Sequence, residues 1–138
     1  MSPRYTLSIL SQAERLTDIA DFIETAGRAS GLKPDQIYDV EMAVDEACTN
    51  IIQHAYHGRK NGTIDITCER RRREFIITIR DYGDRFDPKK VVPPRVRVPL
   101  SQRAVGGLGL PFMHKLMDRV EFDFSSKNGN RLTMAKKL

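Results

Sequence analysis

The stretch GTIDITCERRRREFIITIRD, residues 62–81, does more than any other to limit what this chain can become. Two β-type segments, 62–69 and 74–81, are rich in Ile and Thr, and the arginines Arg70–Arg73 stand between them. That order reads as an antiparallel hairpin. A lone hairpin is marginal in water and needs more strands or a helix on its apolar face. The rest of the sequence offers both. RYTLSIL, residues 4–10, alternates weakly and predicts an opening strand. From Ser11 to Ala29, Leu16, Ile19, Ala20, Ile23 and Ala26 recur at a helical period, with Gly27 or Gly31 to close the helix. Pro34 suits the first turn of a second helix, in which Ile37, Val40, Val44, Ala47, Cys48, Ile51 and Ala55 form one apolar stripe before Gly58 ends it. Residues 82–105 hold four of the seven prolines and no period, the mark of a functional lid or a disordered segment. A third helix is expected at about 109–118, with Pro111 in its first turn. RVEFDF and NRLTMAKK then form a second hairpin around SSKNG.

Strands in sequential hairpins, with helices grouped between them, predict an α+β fold: a two-layer sandwich with one mostly antiparallel sheet under helices. A doubly wound fold would need strands and helices in strict alternation, which this chain lacks. With 138 residues, residues 1–138 are expected to form a single domain.

The formal charge of +5 is unevenly placed. Lys89, Lys90, Arg95, Arg97 and Arg103 lie in a stretch without acids, which suits an acidic partner, a phosphate-bearing ligand or nucleic acid. Arg70–Arg73 read as a solvated hairpin tip. Nucleic-acid binding would rest on net charge alone, because neither a helix-turn-helix signature nor an aromatic-rich basic element is present. No run of eighteen apolar residues suggests a membrane span, and the N-terminus lacks an apolar leader. Cys48 and Cys68, without CxxC spacing, read as buried free thiols, so the cytoplasm is the expected location.

Three short motifs carry chemistry. At about 100° per residue, Glu46, Asn50, Gln53 and His57 project opposite the apolar stripe of the second helix. A solvated face would explain that, yet an amide one turn from a carboxylate can do more. The Asn50 oxygen is a hard ligand suited to Mg²⁺, and Glu46 could take a proton from an attacking hydroxyl or water. His54 and His57 have no third metal ligand in view. DYGDRFDP places Asp81 at a strand end, where a carboxylate can accept a hydrogen bond from an adenine amine, with Gly83 letting a base approach. A plain Asp/Gly turn is the alternative. GGLGL, with Gly106, Gly107 and Gly109, can turn backbone N–H groups toward an anion at a helix start. It is not a P-loop, since the GK[ST] ending is missing; a hinge is the alternative.

The order of these motifs, from AVDEACTNIIQHAYHG through DYGDRFDP to GGLGLPFMHKLMDRV, resembles the N, G1 and G2 boxes of Bergerat-type (GHKL, histidine-kinase-like) ATPases. Within them it is similar to the anti-sigma-factor serine-protein kinases of the RsbW type, over about residues 36–136. The resemblance implies ATP and Mg²⁺ as cofactors, Glu46 as catalytic base and Asn50 as Mg²⁺ ligand. It implies Asp81 and Gly83 at the adenine, Gly106, Gly107 and Gly109 beside the phosphates, and an ATP lid at about 88–105. Asn130 stands where the family often has threonine, and Arg85 where histidine-kinase relatives carry a second glycine. The implied function is an anti-sigma factor that sequesters a sigma factor and phosphorylates a serine or threonine of an antagonist (anti-anti-sigma) protein. Homodimers are common in that family. The alternative is a non-catalytic, nucleotide-dependent switch of the same fold. A complete two-component histidine kinase would need a helical dimerisation region for which 138 residues leave no room.

Overall fold

The computed structural model describes residues 3–90 and 110–138. Five strands form one sheet: β1 (Arg4–Leu10), β2 (Thr63–Arg71), β3 (Glu74–Asp81), β4 (Arg119–Asp123) and β5 (Asn130–Lys137). Their spatial order is β1-β2-β3-β5-β4, and every neighbouring pair is antiparallel. The chain leaves β3, reaches the far edge as β4, and comes back as β5 into the gap between them. Helices α1 (Leu16–Ala29), α2 (Pro34–Asn50) and α3 (Leu110–Leu116) complete the α+β sandwich expected from the element order.

Period-2 alternation explains the core. Ile64, Ile66 and Cys68 of β2, Phe75, Ile77 and Ile79 of β3, and Leu132 and Met134 of β5 all point to one buried face. The apolar stripe of α2 closes over them, as its spacing predicts, and Ile19, Ile23 and Ala26 of α1 add to the same cluster. Ala20 is the exception in α1, facing solvent. Cys48 and Cys68 are free and fully buried in this core. Among the described residues, no helix is long and apolar enough to cross a membrane.

The first helix begins only at Leu16, after a 3-10 turn at Ala13–Arg15, and the third ends at Leu116; two further boundaries differ in ways that bear on the site and the hairpin tip. The second helix does not run regularly to Gly58: α2 ends at Asn50, a π-helical turn covers Ile51–Ala55, and His57 (φ 52°) and Gly58 (φ 80°) take left-handed backbone. The strand before the arginines also extends further, to Arg71, with Arg72 at φ 56° in the tip. Arg70 is not merely solvated: it donates to the Ser30 carbonyl at the end of α1, 3.1 Å away.

Candidate functional site

The same alternation that builds the core delivers polar groups to its edge. Counting by two from Phe75 along β3 reaches Asp81; counting back by two from Met134 along β5 reaches Asn130. The two residues are direct partners in the β3–β5 register. Both are therefore forced inward, and they are 3% and 5% exposed. The Asn130 amide nitrogen donates to Asp81 Oδ1 at 2.9 Å and to the Gly83 carbonyl at 3.1 Å. The Gly83 N–H donates to the same Asp81 oxygen at 3.0 Å. Burial pushes the Asp81 carboxyl above its ordinary value, while the hydrogen bonds from Asn130 and Gly83 oppose that shift.

Above this pair lies a small cavity between α2 and the sheet, whose lining also includes Asn50, Ala47, Phe86 and Phe124. Its volume of about 20 Å³ suits roughly one water molecule. A larger ligand enters only if the wall gives way, and the wall that can do so is aromatic. Phe86 contacts His54 on one side and the edge of Phe124 on the other, each with ring centres 5.8 Å apart, and Phe124 stacks on Phe122. An apolar enclosure with a few convergent polar groups is the usual make-up of a small-molecule site.

The α2 motif needs a correction. Glu46, Asn50, Gln53 and His57 do not share one face opposite the core. Asn50 is 6% exposed and lines the cavity, Gln53 is exposed, and His57 has left the helix to meet Asp84 (Nε2 to Oδ2, 3.0 Å). Two physical causes combine. Asn50 sits only about 60° around the helix from Ala47, at the rim of the apolar stripe. The π turn then changes the phase for everything after it. Glu46, one turn before Asn50 on α2, is half-buried.

At Gly83 the missing side chain also serves the chain's own packing. A Cβ there would lie 2.5 Å from the Ala55 carbonyl oxygen. The glycine lets the loop after β3 press against the π turn, where the Asp84 N–H donates to that same carbonyl at 2.8 Å. Gly106, Gly107 and Gly109, with most of the expected lid, lie outside the described residues. Phe86, Phe122 and Phe124 were not singled out by the sequence. Phe86 stands inside the DYGDRFDP motif, but the two β4-side rings have no local signal, since only the return of β5 brings them to the cavity.

The arrangement brings the Asp81 carboxyl and the Asn50 amide to one largely apolar cavity, and Glu46 lies one helical turn before Asn50 on α2. Among the described residues, no group of three His, Cys, Asp or Glu side chains could hold a metal by itself. A cation at Asn50 would have to be shared with ligand oxygens and water, which is how Mg²⁺ binds.

Comparison with known proteins agrees with this fold. The family described as histidine kinase-like ATPase domain matches residues 9–136. The anti-sigma F factor of Clostridium novyi is 34% identical over 120 residues, covering 84% of this chain and 82% of that protein. The serine-protein kinase RsbW of Bacillus licheniformis is 37% identical over 112 residues, covering 78% and 69%. A crystal structure of the RsbU and RsbW domains of a Mycobacterium tuberculosis protein superposes with a TM-score of 0.67 over 99% of this chain. The chain spans 32% of that protein's length at 13% identity, so this likeness concerns the fold alone.

Proposed function

The chain belongs to the histidine kinase-like ATPase domain family, among its anti-sigma factors and RsbW-type serine-protein kinases, and from that premise we propose that it binds Mg²⁺–ATP, sequesters a sigma factor and phosphorylates a serine or threonine of an antagonist protein in the cytoplasm. The observation that carries this is the meeting of Asp81 and Asn50 on one cavity from elements 31 residues apart in sequence. Nothing in core packing requires two buried polar side chains there.

Each residue then has a task. Asp81 accepts a hydrogen bond from the adenine amine through the carboxylate oxygen not already held by Asn130 and Gly83. Asn50 gives its amide oxygen to Mg²⁺, which when bound neutralises phosphate charge for transfer. Glu46 accepts the proton of the incoming hydroxyl as that oxygen bonds to the γ-phosphorus and ADP departs. The family's motif assigns Gly106, Gly107 and Gly109 to the phosphates and residues 88–105 to the lid.

The test separates kinase from switch. Glu46→Gln keeps shape and hydrogen bonding but cannot take a proton, so Mg²⁺–ATP and sigma-factor binding should persist. Single-turnover transfer of labelled γ-phosphate to the antagonist should fall by about 10²–10⁴. Equal rates for wild type and variant would remove Glu46 from the chemistry. No transfer by the wild type, with partner binding intact, would favour a nucleotide-dependent switch without catalysis.

A further inference from the structure

Asn130 fixes the hydrogen-bonding polarity of the cavity floor. Its side-chain amide faces two acceptors, Asp81 Oδ1 and the Gly83 carbonyl. An amide turned the other way would set its oxygen against both, so the NH₂ must lie on that side. Both amide hydrogens are engaged there. What Asn130 has left for a ligand in the cavity it lines is its carbonyl oxygen.

Asp81 is constrained in a parallel way. One carboxylate oxygen accepts from Asn130 and from the Gly83 N–H, which leaves the other for a ligand. The floor of the cavity thus presents two acceptors side by side and no donor from this pair. A threonine at 130 would behave differently, because its hydroxyl can rotate to donate or accept. The strand register holds the arrangement in place: Asp81 and Asn130 are paired residues of β3 and β5. Gly129 (φ 103°) lets the chain turn into β5 directly against the Asp81 carbonyl, where a Cβ would be 2.5 Å away.

The geometry points to Asn130 as a second reader of the base: with Asp81 it selects a purine whose 6-amino group donates one hydrogen to each residue. The inference rests on the nucleotide role of this cavity and adds the specificity-determining residue. A 6-oxo purine in the same pose would set its oxygen against two acceptors, with the mismatch buried. A methyl on the amine would remove one of the two donors and leave the other.

Calorimetric binding of Mg²⁺–ATP, Mg²⁺–N6-methyl-ATP and Mg²⁺–ITP to the wild-type protein tests this without any variant. N6-methyl-ATP should bind roughly tenfold more weakly than ATP, and ITP more weakly still. Asn130→Ala should weaken ATP itself, because Asp81 loses its support. The ratio of N6-methyl-ATP to ATP affinity should then approach one, and it should do so in Asn130→Leu as well, which keeps the bulk of the side chain but not its acceptor. A ratio brought to one by Ala but not by Leu would show that room for the methyl, not a hydrogen bond, sets the preference. If the wild type binds N6-methyl-ATP as tightly as ATP while Asp81→Asn weakens both, Asn130 is not a reader and only the nucleotide site stands. If Asp81→Asn leaves ATP binding unchanged, the nucleotide site and the inference fall together.

Discussion

Asp81 answers to two demands that oppose each other. As an acceptor for a purine amine it is needed ionised, while its place on the buried face of β3 resists the charge. Its folded carboxyl lies above the ordinary 3.8, with burial as the main cause. The sign follows from proton linkage: folding disfavours the ionised form, so the cost is absent below the unfolded value and grows as pH rises through the folded one. Asp81→Asn keeps an oxygen to accept from Asn130 and Gly83 but carries no charge. We expect that variant to melt at a higher temperature than wild type near neutral pH, with the gap closing on acidification. ATP affinity should show the reverse cost: about ten- to a hundredfold weaker in the variant. The wild type should begin to lose affinity on acidification at a pH above 3.8. Parallel melting and titration curves from neutral pH to pH 3 check both, and a wild type no less stable than the variant at neutral pH would overturn the account. At this scale the sequence was partly legible. The strand-end position of Asp81 can be read from EFIITIRD alone, and the place of Asn50 at the rim of the apolar stripe from its spacing to Ala47. The cavity that Asn50 shares with Phe86 and Phe124 cannot, because those residues lie far along the chain.

Between residues and the whole lie the joints of the elements, and here local pattern reads centres better than edges. Arg4–Leu10 and Glu74–Asp81 form strands with the bounds their alternation gives. The end of α2 does not, because the π turn that follows it carries Ile51 and Ala55 on the same apolar stripe and reads in sequence as more helix. That turn is what the loop after β3 rests on. Gly83→Ala would drive a methyl group into the Ala55 carbonyl, and we expect a loss of about 1–3 kcal/mol in denaturant-measured stability, the usual cost of overpacking. An unchanged midpoint would show that the loop can lift away freely. The aromatic wall offers a second test. The chain has no tryptophan, so Phe86→Trp places a single reporter beside His54 and Phe124. Because the cavity holds about 20 Å³, a base must push this side chain aside, and Mg²⁺–ATP should shift the emission of the new indole in a saturable way. A spectrum indifferent to saturating nucleotide would mean that the base does not pass Phe86.

At the scale of the molecule, element order alone pointed to a helix layer over an antiparallel sheet, and the structure has it. The strand order was less legible, since nothing local in NRLTMAKK says that it pairs with β3 as well as β4. That pairing has a consequence in time. Asp81 and Asn130 are 49 residues apart in sequence, and at about 5–20 residues per second the ribosome makes the first roughly 2.5–10 s before the second. During that interval β1, β2 and β3 can already pair, but β3 has a bare edge and the carboxylate has no amide beside it. A nascent chain is therefore expected not to hold nucleotide until β5 has been inserted between β3 and β4, and ATP occupancy becomes a sign that synthesis has passed β5. Ribosome-stalled chains ending before Asn130 should fail to retain labelled ATP, and chains carried well beyond Lys137 should retain it. Retention by the shorter chains would show that β1, β2, β3 and the helices form a competent site without β5.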